Sequence, residues 1–325
     1  MAHEIDQTND KAAMAYVGDT PWHGLGQRLT EWASIDQWRI EAGMDWRIQH
    51  AAVNYADEDG VMRAMDNRRV FFRSDNKRAL SVVSDNFKIV QPGQVLEFYK
   101  ELVEKKGWTL ETAGCLFDGR KFWAMAKVGE SFRIMGQDEI KPYLLLASAC
   151  DGSMNTVAHF TSVRVVCNNT LRMSVGSKGQ LAQIRIPHQS DFDANKVKFD
   201  LGVADTWQNF LTEIQRLAET RIDFEQAVDI IAKELKSEWN NAQGDKMSPQ
   251  EMLDSSNPLR CMMQLYRSEG KGAMLRSCRG TAWGVLNAVT EYCDHESGTK
   301  NGDKSRAFER AHLSDRATFK VKVAN

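Results

Sequence analysis

Asn287, Glu291 and His295 recur every four residues in a run, Thr281 to Tyr292 and onward, with the apolar spacing of a helix, and Asp294 lies beside them. Side chains at i, i+4 and i+8 share one helical face, so an amide, a carboxylate and an imidazole stand in a row. Such a row has the atoms to hold a hard divalent cation such as magnesium, or to work as an acid and a base. The same residue types near a helix end more commonly serve hydrogen-bond networks with an arginine such as Arg276 or Arg306. No catalytic residue and no metal ligand is therefore assigned, and Glu291, His295 and Asn287 stand as weak candidates. His23, His159 and Cys167 have no ligand spacing. The chain lacks Gly-x-x-x-x-Gly-Lys-Ser/Thr, the glycines at 270, 272 and 280 follow no strand, and Ser153 sits in no Gly-x-Ser-x-Gly elbow. These readings argue against nucleotide-driven work and acyl transfer. No cofactor is expected beyond the divalent metal that the Glu291 row would take.

A second chemistry is the holding of phosphates. The net charge of −2 hides a segregation: residues 1–60 carry 4 basic and 11 acidic side chains, and residues 61–90 carry 7 basic and 3 acidic. Segments of one sign can build a positive groove on a protein that is slightly acidic as a whole. Arg68, Arg69, Arg73, Lys77 and Arg78 fall on one hairpin region, and Arg120, Lys121, Arg164 and Arg172 on a later sheet, interleaved with Trp123 and Phe160. Cations for phosphates and aromatic platforms for bases are what single-stranded nucleic acid requires. The plainer reading is that these cations are solvated faces guarding strand edges and that the aromatics are core.

The elements that must position these residues are legible as patterns. Tyr143–Ala149 and Met154–Val166 flank Asp151-Gly152-Ser153 and read as a central hairpin, the second limb alternating so that one face is buried. Strands are expected at Trp46–Tyr55, Val61–Met65, Arg69–Arg73 and Ala79–Ser84, with polar turns at Asp66-Asn67 and Ser74-Asp75-Asn76. Ser34 with Gln37 caps a helix ending at Gly43, and Pro92 opens another with Val95, Leu96, Tyr99, Leu102 and Val103 on one stripe. Trp108–Leu116 and Lys121–Val128 flank the Asp118-Gly119 turn, and Lys178–Pro187 returns to a strand. From about Val203 the chain turns helical, with caps at Asp223/Gln226 and Ser248/Glu251. The fold class expected is α+β: a hairpin-rich antiparallel sheet with one helix packed on it and its other face open, then a mainly helical C-terminal part. The domain reading is 1–60 as an acidic segment belonging to the first domain, 61–190 as the antiparallel core and 191–325 as the helical domain with a basic tail.

Composition bounds the rest. At 42% hydrophobic and 26% charged residues the chain is an ordinary globular protein. No apolar run is long enough to span a bilayer, and the first residues are acidic and polar where a signal peptide is basic then apolar. Six scattered cysteines without Cys-x-x-Cys pairs fit reduced thiols. A cytoplasmic location, that of the bacterial host, and no membrane partner are expected.

Pro21–Gly26 (PWHGLG), Ser84–Pro92 (SDNFKIVQP), Asp151–Ser153, Arg164–Leu171 (RVVCNNTL) and Gly280–His295 (GTAWGVLNAVTEYCDH) together resemble the phage/plasmid-like protein family, also called domain of unknown function 932. The resemblance implies a home in phages, prophages and plasmids and carries no activity or catalytic residues with it. In architecture the chain is also similar to phage single-strand-annealing proteins, which assemble as rings or filaments around a basic groove. The expectation is a mobile-element protein that binds single-stranded DNA, as a homo-oligomer, and promotes annealing or recombination without nucleotide hydrolysis. The alternatives are an interaction protein, either a virion component or an inhibitor of host defence, and a metal-dependent enzyme acting on nucleic acid.

Overall fold

The structure, a computed structural model, describes the chain except residues 1–4, 9–10, 19, 22–23, 107, 165–168, 172–182, 201–202, 236–238 and 297–325. In chain order the strands are β1 (Gln7–Thr8), β2 (Lys11–Ala12), β3 (Met14–Tyr16), β4 (Gln27–Arg28), β5 (Ile48–Ala56), β6 (Met62–Arg73), β7 (Ala79–Ser84), β8 (Thr109–Leu116), β9 (Lys121–Lys127), β10 (Phe132–Ile134), β11 (Asp138–Ala149), β12 (Thr156–Arg164), β13 (Asn169–Leu171) and β14 (Gln183–Ile186). The helices are α1 (Ile35–Glu41), α2 (Pro92–Lys106), α3 (Ala194–Asp200), α4 (Val203–Glu219), α5 (Phe224–Leu235), α6 (Pro249–Ser255), α7 (Asn257–Gln264) and α8 (Ala282–Glu291). The class is α+β. The chain divides into two compact units, and the division is not contiguous: the first holds Met1–Gly129, Tyr143–His159 and Gln183–Leu201, the second Glu130–Pro142, Phe160–Ala182 and Gly202–Asn325.

In the first unit β14, β12, β11, β9, β8, β3 and β4 lie side by side, antiparallel except for the β3–β4 pair. Helix α2 covers this sheet. Val95, Leu96, Phe98, Tyr99 and Leu102 are buried, and the Tyr99 hydroxyl lies 3.0 Å from the Ala124 carbonyl and 2.8 Å from that of Leu144, against two neighbouring strands. The expected hairpin turn is present: Gly152 has φ +76° and the Ser153 N–H donates to the Asp151 carboxylate. The open sheet face is not. Phe122 to Ala126 on β9 and Thr156 to Thr161 on β12 are buried at every position, on both faces. Alternation between apolar and small polar residues in β12 therefore does not mark a solvent face: Thr156 satisfies its hydroxyl on Ser148 at 2.8 Å inside the core.

A separate three-stranded sheet, β5-β6-β7, is built differently from the expectation. Asp66-Asn67 is not a turn between two strands. Met62 to Arg73 is one twelve-residue strand, and Asn67, at φ +59°, sits in a bulge where the β5–β6 register slips. An Asx residue tolerates the left-handed region and serves a bulge as readily as a turn.

The second unit packs α4 through α8 with the β10–β11 hairpin. Phe210, Ile214, Leu217, Trp283 and Leu286 surround Ile134 and Ile140 from that hairpin, and Val228, Ile231, Leu259, Met262 and Val289 form a second cluster. The expected capping boxes at Ser34/Gln37 and Ser248/Glu251 are formed, and Asp223/Gln226 makes the same reciprocal pair. Helix α8 starts at an N-cap, Thr281, whose hydroxyl accepts from the Gly284 N–H at 3.1 Å and donates back to the Ser277 carbonyl at 2.7 Å. That loop folds so tightly on the helix that a Cβ on Gly284 would stand 2.0 Å from the Cys278 carbonyl oxygen.

Candidate nucleic-acid interface

Arg73 closes β6 and is the side chain around which the basic turns of the first unit are assembled. Asp6 reaches it because the N-terminal segment adds to β8, the Asp6 N–H donating to the Cys115 carbonyl. The Arg73 guanidinium is 3% exposed; it pairs with Asp6, donates to both oxygens of Asp75 at 3.0 and 2.8 Å, and lies 4.3 Å above the Trp46 ring. Its Nη1 also lies 3.3 Å from the Asp118 carbonyl oxygen. Gly119 makes room for this stack, since a Cβ there would stand 2.7 Å from Trp46 and 2.9 Å from Arg73. Burial alone pulls the Arg73 pKa down, but hydrogen bonds and charge from Asp75 and Asp6 outweigh it and leave the pKa raised. The bond from Arg73 holds Asp75 below its ordinary 3.8.

The sign of the resulting pH dependence follows from the Asp75 shift. The unfolded chain takes up this proton near the ordinary value and the folded chain only at lower pH, so the contribution is complete above that value and is lost as pH falls through the window beneath it. The unfolding midpoint of the wild type is expected to exceed that of Asp75→Asn at about pH 6, and the gap to shrink below about pH 4. Urea titrations at the two pH values measure it.

Around this centre the structure brings together two sequence-distant basic turns. Arg78 bonds Asp118 at 2.8 Å, joining Ser74–Arg78 to Phe117–Arg120. Lys77 lies over the Ser74 carbonyl and the Gln49 amide. Arg120 is exposed and donates to the Phe117 carbonyl at 3.0 Å, while the Lys121 ammonium stands 5.0 Å from the centre of the Phe117 ring. The Cys150 N–H, donating to the Arg120 carbonyl at 2.9 Å, fastens the second turn to the end of β11. The Cys150 thiol itself is pushed up to about 12 by burial, so it is held as an unreactive packing group.

Three of the expected contacts are corrected. Arg73 is enclosed by carboxylates and an indole and presents nothing to a phosphate. Trp123, 2% exposed, donates its indole N–H to the Thr112 hydroxyl at 3.0 Å, and Phe160, 5% exposed, is likewise core, so neither offers a stacking face. A strand aromatic is read from sequence without knowing which faces are covered, and here both are. Arg69 is half-buried and donates to the carbonyls of Asp85 and Phe87, fixing a turn. Arg68 is exposed at the β6 bulge. The Arg164 side chain and Arg172 lie outside the described residues.

In the second unit Asn287 donates to the Trp283 carbonyl at 2.8 Å, and the Glu291 carboxylate accepts from the Lys271 N–H at 3.0 Å, both from buried positions. The Glu291 contact ties α8 to the Gly270-Lys271 turn, whereas the Asn287 bond stays within α8; the His295 side chain lies outside the described residues. Among the described residues no group of three or more His, Cys, Asp or Glu side chains could hold a metal ion. The buried acid that the sequence did not reveal is Asp138, fully enclosed, accepting from Ser277 at 2.8 Å and from the Trp283 indole at 2.9 Å. It anchors the β10–β11 hairpin to the start of α8, and nothing in its local sequence distinguishes it from a surface aspartate.

The fold thus defines an α+β protein whose strand-rich unit carries a basic loop cluster and whose other unit is mainly helical. The chain belongs to the domain-of-unknown-function family DUF932, which it matches over residues 79–314. No curated protein and no solved structure matched it significantly. No helix among the described residues is long and apolar enough to cross a membrane.

Proposed function

We propose that this is a mobile-element protein of DNA metabolism, cytoplasmic and homo-oligomeric, that binds single-stranded DNA and promotes annealing or recombination without hydrolysing a nucleotide. The observation that carries the reading is the convergence of Lys77, Arg78, Arg120 and Lys121 on one loop cluster from two segments some forty residues apart. Such a cluster contacts the sugar-phosphate chain and reads no bases, which suits a protein acting on strands of any sequence. With Trp123 and Phe160 in the core, affinity rests on phosphate contacts and is steeply salt-dependent.

Fluorescence anisotropy with labelled single strands at several salt concentrations tests this. The triple variant Arg78→Ala/Arg120→Ala/Lys121→Ala is expected to lose at least about tenfold in affinity at low salt and to flatten the log–log salt slope by about 2, at roughly 0.7 per phosphate contact. Unchanged affinity and slope in a folded variant, or no binding by the wild type at low salt, overturns the proposal. A second reading, an interaction protein, is favoured by Trp32, which is 90% exposed in the turn before α1; an exposed indole is a common anchor for a protein partner. Under that reading no salt-dependent affinity for nucleic acid is measured.

A further inference from the structure

The β5–β6 ribbon leaves both of its faces and one long edge uncovered. From Gln49 to Ala56 every residue of β5 is exposed except the half-buried Val53, and β6 is exposed from Met62 to Arg68. Tyr55, Val61, Met62 and Met65 are large apolar side chains on this ribbon that stand in solvent. A two-stranded ribbon is marginally stable in water, and an exposed edge without proline or lysine is a template for another strand. β5 is such an edge, since its one strand partner among the described residues is β6.

The direction in which its backbone points is fixed at the base. The Gln91 side chain accepts from the Ile48 N–H at 2.8 Å and donates to the Ile48 carbonyl at 3.1 Å, so Ile48 turns both groups away from β6. By alternation His50, Ala52 and Asn54 turn theirs outward too, beyond the amide clamp. The two ends of this edge differ in charge. The tip carries Asp57, Glu58 and Asp59 against Arg63, which is paired with Asp57. At the base Arg78 is paired with Asp118 and Asp75 with Arg73, which leaves Arg47 and Lys77 against Asp45 to meet a partner.

We propose that β5 is a self-association edge: two copies of the chain pair their β5 strands antiparallel about a two-fold axis at Ala52. His50 and Asn54 of each then face Asn54 and His50 of the other, and the acidic tip of each ribbon lies beside the basic base of its partner. An isologous contact needs one patch complementary to itself under a two-fold rotation, and a strand edge with opposite charges at its two ends is such a patch. The small side chains Ala51, Ala52 and Ala56 permit close approach. The inference specifies the surface of the homo-oligomer and stands without nucleic acid binding.

Sedimentation velocity on nucleic-acid-free protein over a range of concentrations tests it. The tip reversal Glu58→Lys/Asp59→Lys and the base reversal Arg47→Glu/Lys77→Glu are each expected to weaken the dimer on the order of tenfold, since several rim charge pairs change sign at once. Combining the two reversals restores it. Ala52→Pro removes an outward N–H while leaving the β5–β6 ladder its own bonds, and is expected to give monomer with an unchanged circular dichroism spectrum. A wild type that is monomeric throughout, a dimer indifferent to both reversals and to Ala52→Pro, or a combined variant no better than either reversal overturns the proposal. Anisotropy on the tip reversal and on Ala52→Pro, both of which keep Lys77, reports single-strand affinity separately, so loss of the dimer and loss of DNA binding are read independently.

Discussion

Arg73→Met is expected to destabilise the protein by about 3–5 kcal/mol, the cost of leaving a buried charge without its partner. The guanidinium donates to the Asp6 carboxylate and to both oxygens of Asp75, and its face lies over the Trp46 ring. Removing it strands Asp6, which is itself buried. Arg73→Lys is expected to recover only part of the loss, because an ammonium cannot serve two carboxylates bidentately while stacking on an indole. Paired substitution Asp6→Asn/Arg73→Met is expected to cost less than the sum of the two single changes, since neither charge is then left alone. Guanidinium unfolding curves for wild type, the three single variants and the paired variant decide the matter; an Arg73→Met midpoint equal to that of wild type would show that the centre contributes nothing. DNA affinity is not a test of this residue, since any loss would follow from unfolding.

Gly284→Ala carries the second large effect, and its sign runs against helix propensity. In an open helix the change from glycine to alanine stabilises by about 1 kcal/mol. Here the added Cβ would stand 2.0 Å from the Cys278 carbonyl oxygen, a backbone atom, and 3.2 Å from the Tyr266 ring. The loop Ser277–Gly280 cannot withdraw without releasing the Thr281 cap and the Ser277 bond to Asp138. We expect a loss of about 3 kcal/mol, read as a lowered urea midpoint at unchanged slope. A stabilised Gly284→Ala protein would mean that the loop does not lie against α8 in this way.

Local chemistry was legible where the answer is local. Ser34/Gln37, Asp223/Gln226 and Ser248/Glu251 cap helices because a side-chain oxygen three residues from an orphan N–H reaches it whatever the surroundings. The turns at Asp118-Gly119 and Asp151-Gly152-Ser153 were legible for the same reason, as was the α2 stripe. Asp66-Asn67 misled because an Asx residue at positive φ fits a bulge as well as a turn, and only cross-strand register tells them apart.

The candidate site was half legible. Residue type marked Lys77, Arg78, Arg120 and Lys121 as cations on turns, yet their meeting depends on the Arg78–Asp118 bond across forty residues of chain. The same patterns assigned Arg73, Trp123 and Phe160 to a surface they do not reach. Arginine at a hairpin end reads alike whether it meets water or Asp6, and an aromatic in an alternating strand reads alike whether one face is covered or two.

What the sequence by itself determined is the α+β class, the caps, most of the strands and the family resemblance, all set by spacings within a few residues. What only the tertiary structure decided is which charges are spent internally: Arg73 on Asp6 and Asp75, Glu291 on the Lys271 amide, Asp138 on Ser277 and Trp283. The reason is physical. Burial and pairing depend on what packs against a side chain from distant parts of the chain, and an ionisable residue carries no mark of that in its neighbours.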